Sequence, residues 1–236
     1  TISTGLTKDL DCTASPDAII TGSVSGSSAP YSYAVSIDGG AYTNLGTTNN
    51  NFTYSTPNEG DYQFQVTDAN GCIVESGITT VQTLSLPDLS VVTETQSILC
   101  NGDSNGAIDV TIDTSVGTPP YSINVFNDTL GIDFGTQTAG LTAGIYTITI
   151  TDGKSCTATD TITIAEPDAI VVDYSTVDIT CNAGTVSQGS IIINSVVGGT
   201  APYNYFVTGT NGYSNSELNS TGTTSVSFDV VDFGLY

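Results

Sequence analysis

The feature that most constrains this chain is that it repeats itself. Cys12, Cys100 and Cys181 each open a unit, and the openings lie 88 and 81 residues apart. Each unit continues to a Pro-Tyr pair, Ala29-Pro30-Tyr31, Pro119-Pro120-Tyr121 and Ala201-Pro202-Tyr203, and then to Gly-x-Tyr at Gly60-Asp61-Tyr62, Gly144-Ile145-Tyr146 and Gly234-Leu235-Tyr236. The first two units reach a second cysteine, Cys72 or Cys156, ten residues after that tyrosine. A period of tens of residues predicts a tandem array of similar domains. Leu86-Pro87-Asp88 and Glu166-Pro167-Asp168 mark the boundaries, giving units at 1–86, 87–166 and 167–236. Proline restricts the residue before it and ends strand pairing, so these junctions are expected to be short and fairly stiff. The third unit stops at Tyr236, and the pattern predicts its second cysteine about ten residues further along a longer chain.

Within a unit, apolar and polar residues alternate with period two, as in Ile108-Asp109-Val110-Thr111-Ile112 and Tyr146-Thr147-Ile148-Thr149-Ile150. Such segments are strands with one buried face, and no segment carries a helical period. Several short strands per unit, separated by Gly, Asn, Asp and Ser turns, predict an all-β fold of immunoglobulin-like β-sandwiches placed end to end. In that fold Tyr62, Tyr146 and Tyr236 read as tyrosine corners, whose phenols bond backbone a few residues upstream. The Pro-Tyr pairs read as strand starts with the ring in the core and the proline blunting an edge.

Charge narrows the function. The chain has 24 Asp plus Glu against 2 Lys plus Arg, a net charge of -22, with no His, Met or Trp. An acidic surface repels phosphate backbones and anionic headgroups, so neither nucleic acid nor a membrane surface is an expected partner. Without histidine there is no Ser-His-Asp or Cys-His arrangement and no His-ligated zinc, and the only side-chain ammonium groups are Lys8 and Lys154. With few aromatics to line a cleft for paired carboxylates, the chain is not expected to be an enzyme. No run of about 18 apolar residues occurs, so no helical membrane span is expected.

The aligned cysteines predict disulfides at Cys12, Cys72, Cys100 and Cys156, and hence an oxidising, extracellular setting. Two pairings are open. Bridges within units, Cys12 to Cys72 and Cys100 to Cys156, would each contribute about 4 kcal/mol by loop closure. In strict immunoglobulin strand order, however, a cysteine before strand B and one after strand F lie at opposite poles. Either the order departs from that scheme or the bridges join neighbouring units, for example Cys12 to Cys156. Acidic turns supply hard oxygens that could hold Ca2+: Asp68, Asn70, Asp88, Asp103, Asp152 and Asp168 are the candidates, against Asx-turns with no ion. No other cofactor is expected.

Several motifs in order resemble one family. Cys-Asn-Gly-Asp-Ser-Asn-Gly-Ala-Ile at 100–108, Pro-Pro-Tyr-Ser-Ile at 119–123, Leu-Thr-Ala-Gly-Ile-Tyr-Thr-Ile at 141–148 and Val-Thr-Asp-Ala-Asn-Gly-Cys at 66–72 together resemble the SprB repeat of very large surface adhesins of gliding Bacteroidetes. The first unit departs from it, with Cys12-Thr13-Ala14 for Cys-Asn-Gly and Ser27-Ser28 for a Gly-Gly pair. The resemblance implies export by the type IX secretion system, outer-membrane attachment, and movement along the cell surface during gliding. Asp128-Thr129-Leu130 and Asp160-Thr161-Ile162 also resemble the O-glycosylation sites of exported proteins in that group, which makes Thr129 and Thr161 glycan candidates. The expected role is an extracellular adhesin stalk on the cell surface whose partners are neighbouring repeats, with weak multivalent contacts to surface polysaccharide. The alternatives are a self-assembling filament or sheath, and a carbohydrate-binding module.

Overall fold

In the computed structural model, which describes residues 1–48, 50–210 and 212–230, the chain is all β. The third Gly-x-Tyr, with its corner tyrosine Tyr236, lies outside the described residues. Two compact units form. The first contains Thr1–Thr93, Asp109–Gln137 and Tyr146–Ile162, and the second contains Glu94–Ile108, Thr138–Ile145 and Thr163–Tyr236.

The first unit holds the whole first repeat, built from β1 (Ile2–Lys8), β2 (Ala18–Val24), β3 (Tyr31–Ile37), β4 (Thr43–Thr48), β5 (Asn51–Thr56), β6 (Gly60–Thr67), β7 (Ile73–Glu75) and β8 (Thr79–Val81). One sheet runs β1-β2-β5 and the other β4-β3-β6-β7, with β8 also paired to β6. In immunoglobulin lettering this is A-B-E packed on C′-C-F-G. The period-two pattern dictates the packing. Ala18 and Ile20 of β2 meet Val35 of β3 and Tyr62 and Phe64 of β6 in one buried cluster, with Val81 closing it.

Aromatic rings fill the rest of the space between the sheets: Phe52 lies 4.7 Å from Tyr33 and 4.9 Å from Phe64, between ring centroids. Phe52 lies over Gly22 so closely that a Cβ there would come within 2.2 Å of the ring, so β2 must carry glycine at this point. The phenol of Tyr62 donates to the Asn58 carbonyl at 2.9 Å and lies 2.7 Å from the Thr56 hydroxyl. That is the bond to backbone a few residues upstream expected of a tyrosine corner.

The second repeat comprises β9 (Asp88–Gln96), β10 (Gly106–Asp113), β11 (Ser122–Asn127), β12 (Ile132–Gly135), β13 (Ala139–Leu141), β14 (Gly144–Thr151) and β15 (Thr157–Ile164). Its strand orders, β9-β10-β13 and β12-β11-β14-β15, reproduce those of the first. The third repeat, β16 (Val171–Val177), β17 (Thr180–Asn182), β18 (Thr185–Ser187), β19 (Gly189–Val197), β20 (Tyr203–Thr208), β21 (Ser214–Ser220) and β22 (Val226–Val230), gives β16-β19-β22 and β20-β21, with β17 and β18 as an added hairpin.

All three Pro-Tyr pairs follow a cis peptide bond, at Ala29-Pro30, Pro119-Pro120 and Ala201-Pro202. Each tyrosine hydroxyl donates back into the preceding loop: Tyr31 to Ser27 O at 2.8 Å, Tyr121 to Val116 O at 2.7 Å and Tyr203 to Gly198 O at 2.5 Å. Tyr31 and Tyr203 open β3 and β20, and the Tyr31 ring is buried, as the sequence predicts; β3 lies between β4 and β6, so Pro30 blunts no sheet edge there.

Replacing Tyr62 by Phe keeps the ring and removes its hydroxyl. It should lower stability by about 1 kcal/mol, read as a lower urea midpoint with an unchanged m-value.

Candidate functional site at the junction of the first two repeats

The strand order fixes where each loop lies. In the first repeat the A–B loop, residues 9–17, and the chain exit after β8 are at one pole, while the F–G loop, residues 68–72, is at the other. Cys12 and Cys72 therefore cannot meet. The structure instead joins Cys12 to Cys156 of the second repeat, with Cα atoms 4.8 Å apart and a sequence separation of 144. The within-unit pairings Cys12–Cys72 and Cys100–Cys156 do not form, and Cys72, Cys100 and Cys181 are exposed thiols. The physical reason is the pole-to-pole geometry of the sandwich.

Around the bridge the two loops are sewn together. The Cys12 amide donates to the Lys154 carbonyl at 2.9 Å. The Lys154 ammonium reaches back to Asp9 at 2.8 Å, and Lys8 pairs with Asp11 at 2.8 Å and donates to the Asp17 carbonyl at 3.1 Å. Both lysines of the chain are thus placed at this one junction. Next to them the Gly117 amide donates to the Ser85 hydroxyl at 3.0 Å, and Gly117, at φ 74°, lies so close to Pro87 that a Cβ would meet its Cα at 2.9 Å. The Lys8 ammonium first, and then the Thr13 hydroxyl, hold the Asp11 carboxyl down at about 2.

The expected Ca2+ ligands do not gather. Among the described residues no group of three or more His, Cys, Asp or Glu side chains could hold a metal. Asp152 is buried and its carboxylate accepts from the amides of Lys154 and Cys156, both at 2.9 Å, and of Thr118 at 2.9 Å. Asp68 does the same for Asn70 and Cys72, at 2.9 and 2.8 Å, and also takes the Ser27 hydroxyl, which holds its carboxyl below the usual range. Asn70 is exposed in that turn. Asp88 accepts from the Leu89 amide at 2.9 Å, the Asp103 amide donates to Cys100 O at 3.2 Å, and the Asp168 carbonyl accepts from Gly199 at 2.6 Å. These are Asx-turns and backbone links in separate places. Thr129 and Thr161, the glycan candidates, are exposed, the first in the turn that closes with Gly131 N to Asn127 O at 2.8 Å.

Away from the junction, a shallow groove of about 330 Å³ opens along the first repeat between β4 and β5, floored by Tyr33 and Phe52 and walled by Leu45, Thr47, Asn51 and Thr53. Among the described residues that line it there is no carboxylate, amine or thiol, and burial pushes the Tyr33 phenol upward. It offers aromatic and amide surface but no acid and base pair. The sequence placed no role on Lys8 or Lys154. Their proximity to Cys12 and Cys156, four and two residues away, was the available signal.

Residues 92–128 match the family model of the SprB repeat. Solved structures similar to the chain include the following three. The C-terminal 282-residue fragment of intimin, in complex with the intimin-binding domain of the translocated intimin receptor, has a TM-score of 0.36 and 15% identity over 73% of this chain and 66% of that one. A tetra-tandem repeat in the extending region of a large adhesion protein gives 0.27 and 15% over 98% and 66%. Extracellular domains 3–5 of Drosophila OTK give 0.25 and 13% over 86% and 85%. The chain thus spans 66% of the intimin fragment and of the tetra-tandem repeat. No curated protein matches it.

Two outcomes follow from the junction. Replacing Cys12 by Ser removes a closed loop of 144 residues and should destabilise the first unit by about 5 kcal/mol in denaturant titration. The Asp11 carboxyl, depressed in the folded state, favours folding above its unfolded value of 3.8, and that contribution fades as pH falls toward 2. In Lys8→Gln, an NMR titration should find the Asp11 carboxyl shifted back toward 3.8, with a smaller loss of stability across that window.

Proposed function

We propose that this chain is a spacer segment of an extracellular bacterial adhesin, a crosslinked run of repeats that carries tension between a cell anchor and a distal binding region. The observation that carries this reading is the covalent bridge from the first repeat to the second, placed where a pull along the chain would otherwise part the two sandwiches. The SprB repeat at residues 92–128 and the strongly acidic surface support the same role, since like charge keeps such arrays apart from one another in solution. Attachment to an outer membrane, passage through a type IX secretion system, a part in gliding and weak contact with surface polysaccharide belong to this reading as its cellular setting.

Tension enters through the backbone. With Cys12 bonded to Cys156, a pull from the ends passes through the disulfide, and the 143 residues between the two cysteines carry no load even when unfolded. The aromatic groove beside Tyr33 and Phe52 favours a second reading, a sugar-binding module, because flat aromatic and amide surface suits carbohydrate.

Single-molecule pulling on the oxidised chain should show no extension from the residues inside that loop. Reductant should add about 500 Å of contour length, at roughly 3.5 Å per residue. Equal contour lengths with and without reductant would overturn the tension role. Sedimentation that grows with concentration would replace it with the filament.

A further inference from the structure

We propose that the Cys12–Cys156 bridge is one instance of a recurring crosslink, in which the first cysteine of a repeat built like the first two bonds to the second cysteine of the repeat that follows. Cys100 is then a modification site for the next repeat's second cysteine, and Cys72 a modification site for the first cysteine of any repeat that adjoins on the other side. This deepens the spacer reading and rests on it for its purpose, but its argument is geometric.

The second-cysteine loops are the same structure in both repeats. In the second, the Asp152 amide donates to Cys156 O at 2.9 Å, Ser155 N to Asp152 O at 3.0 Å, and the Lys154 and Cys156 amides to the Asp152 carboxylate at 2.9 Å each. In the first, Asp68 N donates to Cys72 O at 2.9 Å, Gly71 N to Asp68 O at 3.0 Å, and the Asn70 and Cys72 amides to the Asp68 carboxylate at 2.9 and 2.8 Å. Even the link to the neighbouring loop is kept, Gly153 N to Thr118 O at 2.6 Å matching Ala69 N to Ser28 O at 3.1 Å. The residue before each cysteine has positive φ, 62° at Ser155 and 83° at Gly71. The loop that delivers Cys156 to a bond therefore also presents Cys72, whose thiol is exposed.

The first-cysteine loop of the second repeat is likewise placed for the next junction. Asn101 donates through Nδ2 to Pro167 O at 3.0 Å, and the Gly102 amide donates to the Glu166 carboxylate at 2.6 Å. Both acceptors belong to the linker that leads into the third repeat. In that repeat Gly199 N bonds Asp168 O at 2.6 Å, as Gly117 meets the preceding linker. The two residues that follow Cys100 are thus bonded to the linker into its neighbour, and Cys100 itself is free and exposed, as the opening cysteine of a repeat must be if it is to bond forward. Cys181 is different: it lies in β17, paired with β18, so the rule is drawn for Cys72 and Cys100 alone.

Each bond is made by oxidation of two thiols. A thiolate attacks the mixed disulfide that its partner has formed with a thiol–disulfide oxidoreductase. Formation of the new S–S bond removes two electrons and two protons from the pair of cysteines, and these reduce the disulfide of the oxidoreductase, which leaves as its dithiol.

The test duplicates the second repeat within the full chain, inserting a second copy of residues 87–166 after Glu166, a join that keeps the native Glu-Pro-Asp linker. In the inserted copy Cys100→Ser removes a competing thiol and Thr157→Ser marks its Cys156 peptide by mass. Nonreducing peptide mapping after expression in an oxidising compartment should find Cys100 of the first copy bonded to Cys156 of the inserted copy, alongside Cys12 bonded to the unmarked Cys156. Recovery of Cys100 as a free thiol, or bonded to Cys156 of its own copy, would overturn the rule while the pulling experiment still judged the spacer reading. Loss of the Cys12–Cys156 bridge would overturn both.

Discussion

Everything distinctive about this chain follows from a single geometric restriction, that the A–B loop and the F–G loop of a sandwich are at opposite poles. A strand of seven or eight residues separates the poles by some 25 Å at about 3.3 Å per residue, far beyond the 7 Å that a disulfide can span between Cα atoms. Cysteines at those two places cannot staple the domain that carries them. They can only bond outward, and because the chain leaves the first repeat at the pole that holds Cys12, the nearest F–G loop is the one in the following repeat. The consequence is a crosslink whose closed loop spans most of two domains.

Charge acts on the same place. With a net charge of -22, packing one acidic domain against another costs free energy wherever carboxylates face each other in poor screening. The two lysines are at the junction of the first two repeats, one reaching across to Asp9 and the other holding the A–B loop through Asp11 and Asp17. Half-buried pairs at a surface such as these contribute on the order of 1 kcal/mol, so they orient the loops and the disulfide supplies the strength. At the second junction the position of Lys8 is taken by Gln96, and the contacts to the linker come instead from an amide side chain and a backbone amide, Asn101 and Gly102.

The fold was legible because its signals are local and periodic. Alternation in β6 and β14 places Tyr62, Phe64, Val66, Tyr146, Ile148 and Ile150 on buried faces, and repetition of the Gly-x-Tyr motif announces the corner before any contact is known. The bridge was only half legible. Spacing gives two cysteines per repeat, but pairing depends on which pole each loop occupies, a property of strand order that two pairings satisfied until the order was known. The acidic turns left a cation or an ion-free Asx-turn open: in Asp68 and Asp152 one carboxylate oxygen accepts from amides of its own loop and the other from Ser27 or Thr118 of the neighbouring loop. The four-residue step from aspartate to cysteine recurs in both loops: the carboxylate closes an Asx-turn on the amide two residues on and also takes the amide of the cysteine.

The glycines show how the junction constrains sequence. Gly117 and Gly198 occupy left-handed backbone, φ 74° and 76°, and each abuts a linker so tightly that a side chain would strike backbone, Pro87 Cα at 2.9 Å and Ala169 O at 2.0 Å. Gly26 in the equivalent loop of the first repeat has the same φ of 76° with open space around it, because no linker passes over it among the described residues. Two separate demands therefore fall on one loop. The turn itself asks for glycine in all three repeats, while close approach of a preceding domain asks for it only where such a domain is packed. A substitution at Gly26 would strain the turn alone, whereas one at Gly117 or Gly198 would also push the linker away.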